Sequence, residues 1–181
     1  MKTCYFTFGR FNPPTIGHEK LLRALQKEAA SDDWLVYPSQ SHKKPNNPLP
    51  YEYKVKIMKK MFPWAKIETD ACCNTIIKVA QDMMMKDYSD IVMVVGSDRV
   101  TEFKSLLLKY NTKDYTFNSI SVLSAGERDP DADGASGMSA SKMREAAKDG
   151  KARDFMQGMP DTLPIQEKLE LMEEVRKGMG L

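Results

Sequence analysis

A doubly wound α/β fold is predicted: a Rossmann-like parallel sheet of about five strands, followed by C-terminal helices. Three observations predict it. Strand-like and helix-like segments alternate along most of the chain, as they do where helical crossovers join parallel strands. The run DIVMVVG at 90–96 is β-branched, continuous and ended by glycine, the pattern of a central strand covered on both faces. The 181 residues suffice for one domain with a sizeable core.

The elements follow in order. Thr3 to Phe8 reads as a buried strand. Residues 17–30 read as an amphipathic helix, because Leu21, Leu22, Leu25 and Ala29 share a face. Trp34 to Tyr37 is a second short strand, and the polar stretch PSQSHKKPNNPLP after it has loop composition. Residues 51–62 return to helical spacing through Val55, Met58 and Phe62. Ala65 to Glu68 reads as a weak strand and 74–87 as a helix. Beyond the 90–96 strand come a helix over 98–109, a strand over 119–123, and an Asp- and Gly-rich loop. A helix from about Ser139 to Asp149 follows. The last helix covers about 164–178, where Leu169, Met172, Val175 and Met179 recur at helical spacing. The whole of 1–181 is expected to form one domain, with about 160–181 as a helical extension.

Composition narrows the class. The chain has 27 basic and 25 acidic side chains, so its formal charge of +2 favours neither a nucleic-acid nor a membrane partner. Cys4, Cys72 and Cys73 are odd in number and two are adjacent, which suits a reduced, cytoplasmic protein rather than a disulfide framework. No signal peptide is expected, and the longest apolar run, Ile91 to Val95, is too short to span a bilayer.

Three polar stretches carry chemistry. The first is GRFNPPTIGH, residues 9–18, between the first strand and the first helix. It reads as a stiff turn capped by Thr15, or as a loop that holds a phosphate at the helix N-terminus, with His18 and Thr15 as donors. It is not a P-loop, because Gly-Lys-Ser/Thr is absent. The second, GMSASKMR at 137–144, offers Ser139 as N-cap, Ser141 in the first turn and Arg144 on the same face. It is an ordinary capped helix or a phosphate grip. The third, Gly96-Ser97-Asp98, ends the central strand, where a carboxylate either caps the next helix or accepts from ribose hydroxyls. His42-Lys43-Lys44 could add cationic charge from a solvated loop. The acidic run Glu127, Asp129, Asp131 and Asp133 lacks the spacing of an EF-hand and reads as a solvated segment.

Taken together and in this order, these stretches resemble the nucleotidylyltransferase superfamily with its H-x-G-H and I-S-S-T-x-x-R signatures. The first signature reads Thr15-Ile16-Gly17-His18 here, and the second Met138-Ser139-Ala140-Ser141-Lys142-Met143-Arg144. Thr15 stands where many members have His. GRF at 9–11 and SHKKP at 41–45 are similar to segments of nicotinamide mononucleotide adenylyltransferases.

This resemblance implies transfer of AMP from ATP to nicotinamide mononucleotide, with release of pyrophosphate and no covalent enzyme intermediate. It implies that His18, Thr15 and Arg144 are catalytic, and that Ser139 and Ser141 join Arg144 on the β- and γ-phosphates. Gly9, Arg10, Phe11 and Gly17 would line the nucleotide or phosphate site, and Gly96 and Asp98 the ribose or base region. Lys43 or Lys44 would reach the acceptor phosphate or the α-phosphate. Mg²⁺ would ride on the triphosphate, with no protein side chain as its ligand. Phosphopantetheine is the rival acceptor, because Thr15-x-Gly17-His18 suits it. A cytidylyltransferase for sugar or polyol phosphates fits less well, since no Arg-Thr pair precedes Gly137. A nucleotide-binding or assembly protein without activity is the non-enzyme alternative. A homo-oligomer is left open.

Overall fold

The structure, a computed structural model, describes residues 1–70, 73–126 and 138–181. They divide into two compact units. The first takes its described residues from 1–9, 21–39 and 66–126, and the second from 10–20, 40–65 and 138–181.

The first unit is built on a parallel sheet. Its strands are β1 (Thr3–Gly9), β2 (Asp33–Pro38), β3 (Asp90–Val95) and β4 (Ser119–Ser124), in the order β2-β1-β3-β4. The α/β class and the parallel sheet are as predicted, with four strands instead of about five. The expected strand at 65–68 is a single bridge from Ile67 to Val36. Val36 gives its N–H to the Lys66 carbonyl and takes the Glu68 N–H, and the pairing ends there. Glu68 then turns its carboxylate back onto the Thr69 and Asp70 amides, which pulls the chain out of extended form.

Strand order reverses between β1 and β3, and there the strands part. Their ladder runs only from Thr3–Asp90 to Phe6–Met93. On the outer sides, pairing continues to Gly9–Pro38 and Val95–Ser124. The carboxyl ends of β1 and β3 therefore open at the switch point, where sheets of this class bind ligands.

One face of the sheet packs Cys4, Phe6, Tyr37, Ile91, Met93, Val95, Ile120 and Val122 against two helices, α3 (Ile76–Met85) and α4 (Val100–Lys109). The alternation of strand side chains divides the two faces. Buried Tyr37 satisfies its hydroxyl by donating to Asp82 Oδ2 at 2.8 Å, and Lys86 pairs with the same carboxylate. The predicted helix over 98–109 opens as a 3₁₀ turn, Ser97–Arg99, before α4 begins.

The helix α1 (Ile16–Ala29) starts in the second unit and buries Leu22, Leu25 and Ala29 in the first. The second unit also holds α2 (Tyr51–Met61), α5 (Ala140–Lys148), α6 (Ala152–Gln157) and α7 (Ile165–Gly178). The last three pack on one another. On α7 the buried side chains are Leu171, Met172 and Val175, while Leu169 is 40% exposed, so the apolar face is turned slightly from the one predicted. Arg176 of α7 donates to the Ala147 and Lys148 carbonyls at 2.6 and 3.1 Å, placing a cation at the negative end of α5. Gly178 approaches the Pro48 carbonyl so closely that a Cβ there would lie 1.9 Å from its oxygen. No described helix is long and apolar enough to cross a membrane.

Candidate active site

The chain leaves β1 at Gly9 and enters α1 at Ile16 through a braced loop. Phe11 has a left-handed φ of 47°, uncommon for a residue with a side chain, and its ring is buried 4.9 Å from the His18 ring. The buried Asn12 amide works like a short piece of strand edge: Oδ1 accepts from Leu49 N at 2.8 Å and Nδ2 donates to Leu49 O at 3.4 Å. Lys54 of α2 reaches the loop as well, donating to the Arg10 carbonyl at 2.7 Å.

Thr15 is fully buried and its hydroxyl serves two elements. The oxygen accepts from the Gly17 and His18 amides at 3.1 and 3.4 Å, so Thr15 is the N-cap of α1. Its proton goes to the Met138 carbonyl at 2.6 Å. That bond spans 123 positions and joins the stretch at 9–18 to the one at 137–144. The Thr15 amide donates to His18 Nδ1 at 3.0 Å. A ring nitrogen that accepts carries no proton, so the neutral imidazole is protonated on Nε2, an assignment made from the hydrogen bonds.

The first amides of α1 are not open to an anion, contrary to expectation. Ile16 N donates to the Gly158 carbonyl at 2.9 Å, and Gly17 N and His18 N are held by the Thr15 cap. Gly158 lies far along the sequence, beyond α6, so no local pattern signals this contact.

At α5 the situation is reversed. Ser139 caps the helix by accepting from Lys142 N at 3.2 Å. Among the described residues, no group accepts from the Ala140 or Ser141 amides, nor from the Phe11 amide. Half-buried Arg144 donates to the Asn12 carbonyl at 2.9 Å and to Ser141 Oγ at 3.1 Å. Burial, and then the like charge of Arg10, push the Arg144 guanidinium below its ordinary pKa. Among the described residues neither arginine forms an ion pair. Two cations near one another, two open amides and a hydroxyl make a site suited to a polyanion.

The remaining predicted residues are placed as follows. Gly9 ends β1 and its carbonyl takes the Ser39 amide at 2.7 Å. Gly96 follows β3, and a Cβ there would meet Asp98 Oδ1 at 2.9 Å, so the carboxylate folds back over the glycine. Lys43 and Lys44 are exposed. Lys43 pairs its backbone with Asn47, and Lys44 Nζ would lie 3.1 Å from a Cβ on Gly180, beyond the end of α7. Gly137 and the acidic run of Glu127, Asp129, Asp131 and Asp133 lie outside the described residues. Among the described residues, no group of three or more His, Cys, Asp or Glu could hold a metal.

Two residues escaped the sequence reading. Asn12 gives no signal beyond its place between Phe11 and two prolines. Lys54 does give one: it precedes Ile57, Met58 and Met61 by three, four and seven positions, the spacing of the buried face.

The chain is a member of the nucleotidylyltransferase superfamily. Within it, the chain belongs to the cytidylyltransferase-like family, whose model matches residues 6–146. The fold is shared with solved structures at low identity. The Plasmodium falciparum nicotinic acid mononucleotide adenylyltransferase complexed with NaAD is 14% identical, with 96% of this chain and 98% of that chain covered and a TM-score of 0.60. The same enzyme complexed with APC is 15% identical over the same shares, with a TM-score of 0.59. Thermotoga maritima TmcAL bound with alpha-thio ATP is 12% identical, covering 99% of this chain and 57% of that one, with a TM-score of 0.55. A search of the curated proteins gave no match.

Proposed function

We propose that the protein transfers AMP from ATP to nicotinamide mononucleotide, forming a dinucleotide and releasing pyrophosphate. One observation carries this reading: the Thr15–Met138 bond draws His18 and the N-terminus of α5 together, with Arg10 and Arg144 beside them and no carboxylate paired to either among the described residues.

In this reading an acceptor phosphate oxygen attacks the α-phosphorus in line. The bond from the α-phosphorus to the bridging oxygen breaks, and pyrophosphate leaves with the electron pair. No side chain is needed as nucleophile, so the protein's work is positioning and charge stabilisation. His18 presents Nε2–H to the α-phosphate as charge grows on its oxygens. Arg144, Ser141 and the Ala140 and Ser141 amides take the β- and γ-phosphates, and Arg10 adds a second cation. The Phe11 amide is a further donor. Thr15 acts through its neighbours, because its hydroxyl proton is already given to Met138, and is a positioning residue. For Gly96 and Asp98, a role at the ribose rests on the resemblance. Mg²⁺ enters as part of the nucleotide substrate, held by phosphate oxygens and water.

The test is a panel of nucleoside triphosphates against acceptor phosphates, scored by pyrophosphate release. ATP with nicotinamide mononucleotide is expected to turn over fastest. Nicotinic acid mononucleotide and 4′-phosphopantetheine are the competing acceptors, and CTP with polyol phosphates is the arm suggested by the family. Turnover confined to one of those other pairs overturns the proposed substrates.

A further inference from the structure

Asn12 is buried, and both halves of its side-chain amide meet one residue: Oδ1 accepts from Leu49 N at 2.8 Å and Nδ2 donates to Leu49 O at 3.4 Å. Two bonds to one partner fix an amide in place and in plane. Leu49 is itself a firm anchor. Its side chain is fully buried, the Pro48 carbonyl before it lies against Gly178, and Pro50 after it is the N-cap of α2. The same clamp recurs in the first unit, where Asn111 Oδ1 accepts from Phe117 N at 2.9 Å and Nδ2 donates to Phe117 O at 3.2 Å. There it closes the turn between α4 and β4.

Asn12 adds a main-chain role to its clamp. Its carbonyl accepts from one Arg144 nitrogen at 2.9 Å, while a second Arg144 nitrogen donates to Ser141 Oγ at 3.1 Å. A guanidinium carries five N–H donors in a rigid plane, on a stem with much rotamer freedom to lose. Two anchors fix that plane and leave further donors for a ligand. Both anchors are neutral. They orient the cation without cancelling its charge, which a carboxylate in their place would do.

We propose that Asn12 is a positioning residue of the phosphate site: clamped on Leu49, it holds its carbonyl where Arg144 is aimed before a polyanion arrives. This role rests on the reading of Arg144 as a ligand of the β- and γ-phosphates. It extends the support of the site to Leu49, outside both signature stretches. The benefit is preorganisation, since a cation already oriented has less freedom to lose when the ligand binds.

The test is a double-mutant cycle on pyrophosphate affinity, read by titration calorimetry. It compares wild type, Asn12→Ala, Arg144→Ala and the double variant, with Asn111→Ala as the control for a clamp lost elsewhere. Asn12→Ala is expected to weaken pyrophosphate by about tenfold, the scale of one hydrogen bond to a charged group, while Asn111→Ala binds it as wild type does. In the Arg144→Ala background, Asn12→Ala should change the affinity by less than about twofold, because a residue that acts through Arg144 has nothing left to act on. Asn12→Ser is neutral, smaller and keeps a hydroxyl for the Leu49 amide. It is expected to be intermediate, and it carries the same cycle should Asn12→Ala not fold. This coupling in a wild type that transfers no nucleotide would keep the role of Asn12 and remove the proposed function. Wild-type pyrophosphate affinity in a folded Asn12 variant overturns the proposal. So does an equal loss with and without Arg144, or the same loss in Asn111→Ala.

Discussion

Thr15 gives its hydroxyl proton to the carbonyl of Met138 at 2.6 Å, while the same oxygen caps α1. One side chain thus caps the start of one helix and holds the residue that leads into another.

Thr15→Val, which keeps the shape and loses both bonds, is expected to cost about 2 kcal/mol: about one for the cap and one for the buried donor. For a chain of this size that lowers Tm by about 4–8 °C. Thr15→Ser should retain most of both stability and turnover. Thermal unfolding of the pair decides it. An unchanged Tm in Thr15→Val would mean that the hydroxyl serves a ligand instead.

The proton on His18 Nε2 makes a directional prediction. Gln can place an N–H near the Nε2 position, whereas Asn places its amide near Nδ1. The expected order of kcat is wild type, then His18→Gln, then His18→Asn and His18→Ala, with the last about two orders of magnitude down. Equal loss in Gln and Asn would remove the tautomer argument.

Burial first, and the like charge of Arg10 second, disfavour the Arg144 guanidinium, and a bound polyanion would offset both. Pyrophosphate is therefore expected to raise Tm, by about 2.7 kcal/mol of added stability at a hundred times its Kd. Arg144→Ala should abolish most of that shift, and titration calorimetry should show weaker ATP binding with acceptor binding less affected. An ATP affinity equal to that of wild type in Arg144→Ala would put the triphosphate elsewhere.

Burial pushes the Lys54 ammonium down from its ordinary value of 10.5 to about 8. Between pH 8 and 10.5 the unfolded chain holds a proton there that the folded chain has released. Stability from this group therefore rises with pH across that window, by an order of magnitude of about 3 kcal/mol. Lys54→Met should be more stable than wild type near neutral pH, with the gap closing above pH 8. Denaturant midpoints of both proteins at several pH values measure it, and a gap independent of pH would contradict it.

Much of this was legible in the sequence, because strong periodicity marks long elements. The continuous run at 90–96 became β3 and the leucines of 17–30 became α1. The segment at 65–68 failed as a strand because its pairing is the single bridge from Ile67 to Val36, and the Glu68 carboxylate then bonds the next two amides. The helix α6 gives no signal because its six residues, Ala152–Gln157, are too few to show a period. Signature residues could be placed by resemblance, yet their hydrogen bonds could not. Whether Thr15 caps, donates to a ligand or does something else depended on Met138, and the closure of α1's amides depended on Gly158. Contacts of that range leave no local pattern.

The most direct test of the central claim is to incubate ATP, nicotinamide mononucleotide and Mg²⁺ with the wild-type protein and with Arg144→Ala, and to identify the products by mass. The account predicts a dinucleotide and an equal amount of pyrophosphate from wild type, with product reduced by about a hundredfold in Arg144→Ala. A wild type that makes no dinucleotide from any pyridine mononucleotide, or an Arg144→Ala variant that makes it at the wild-type rate, would contradict it.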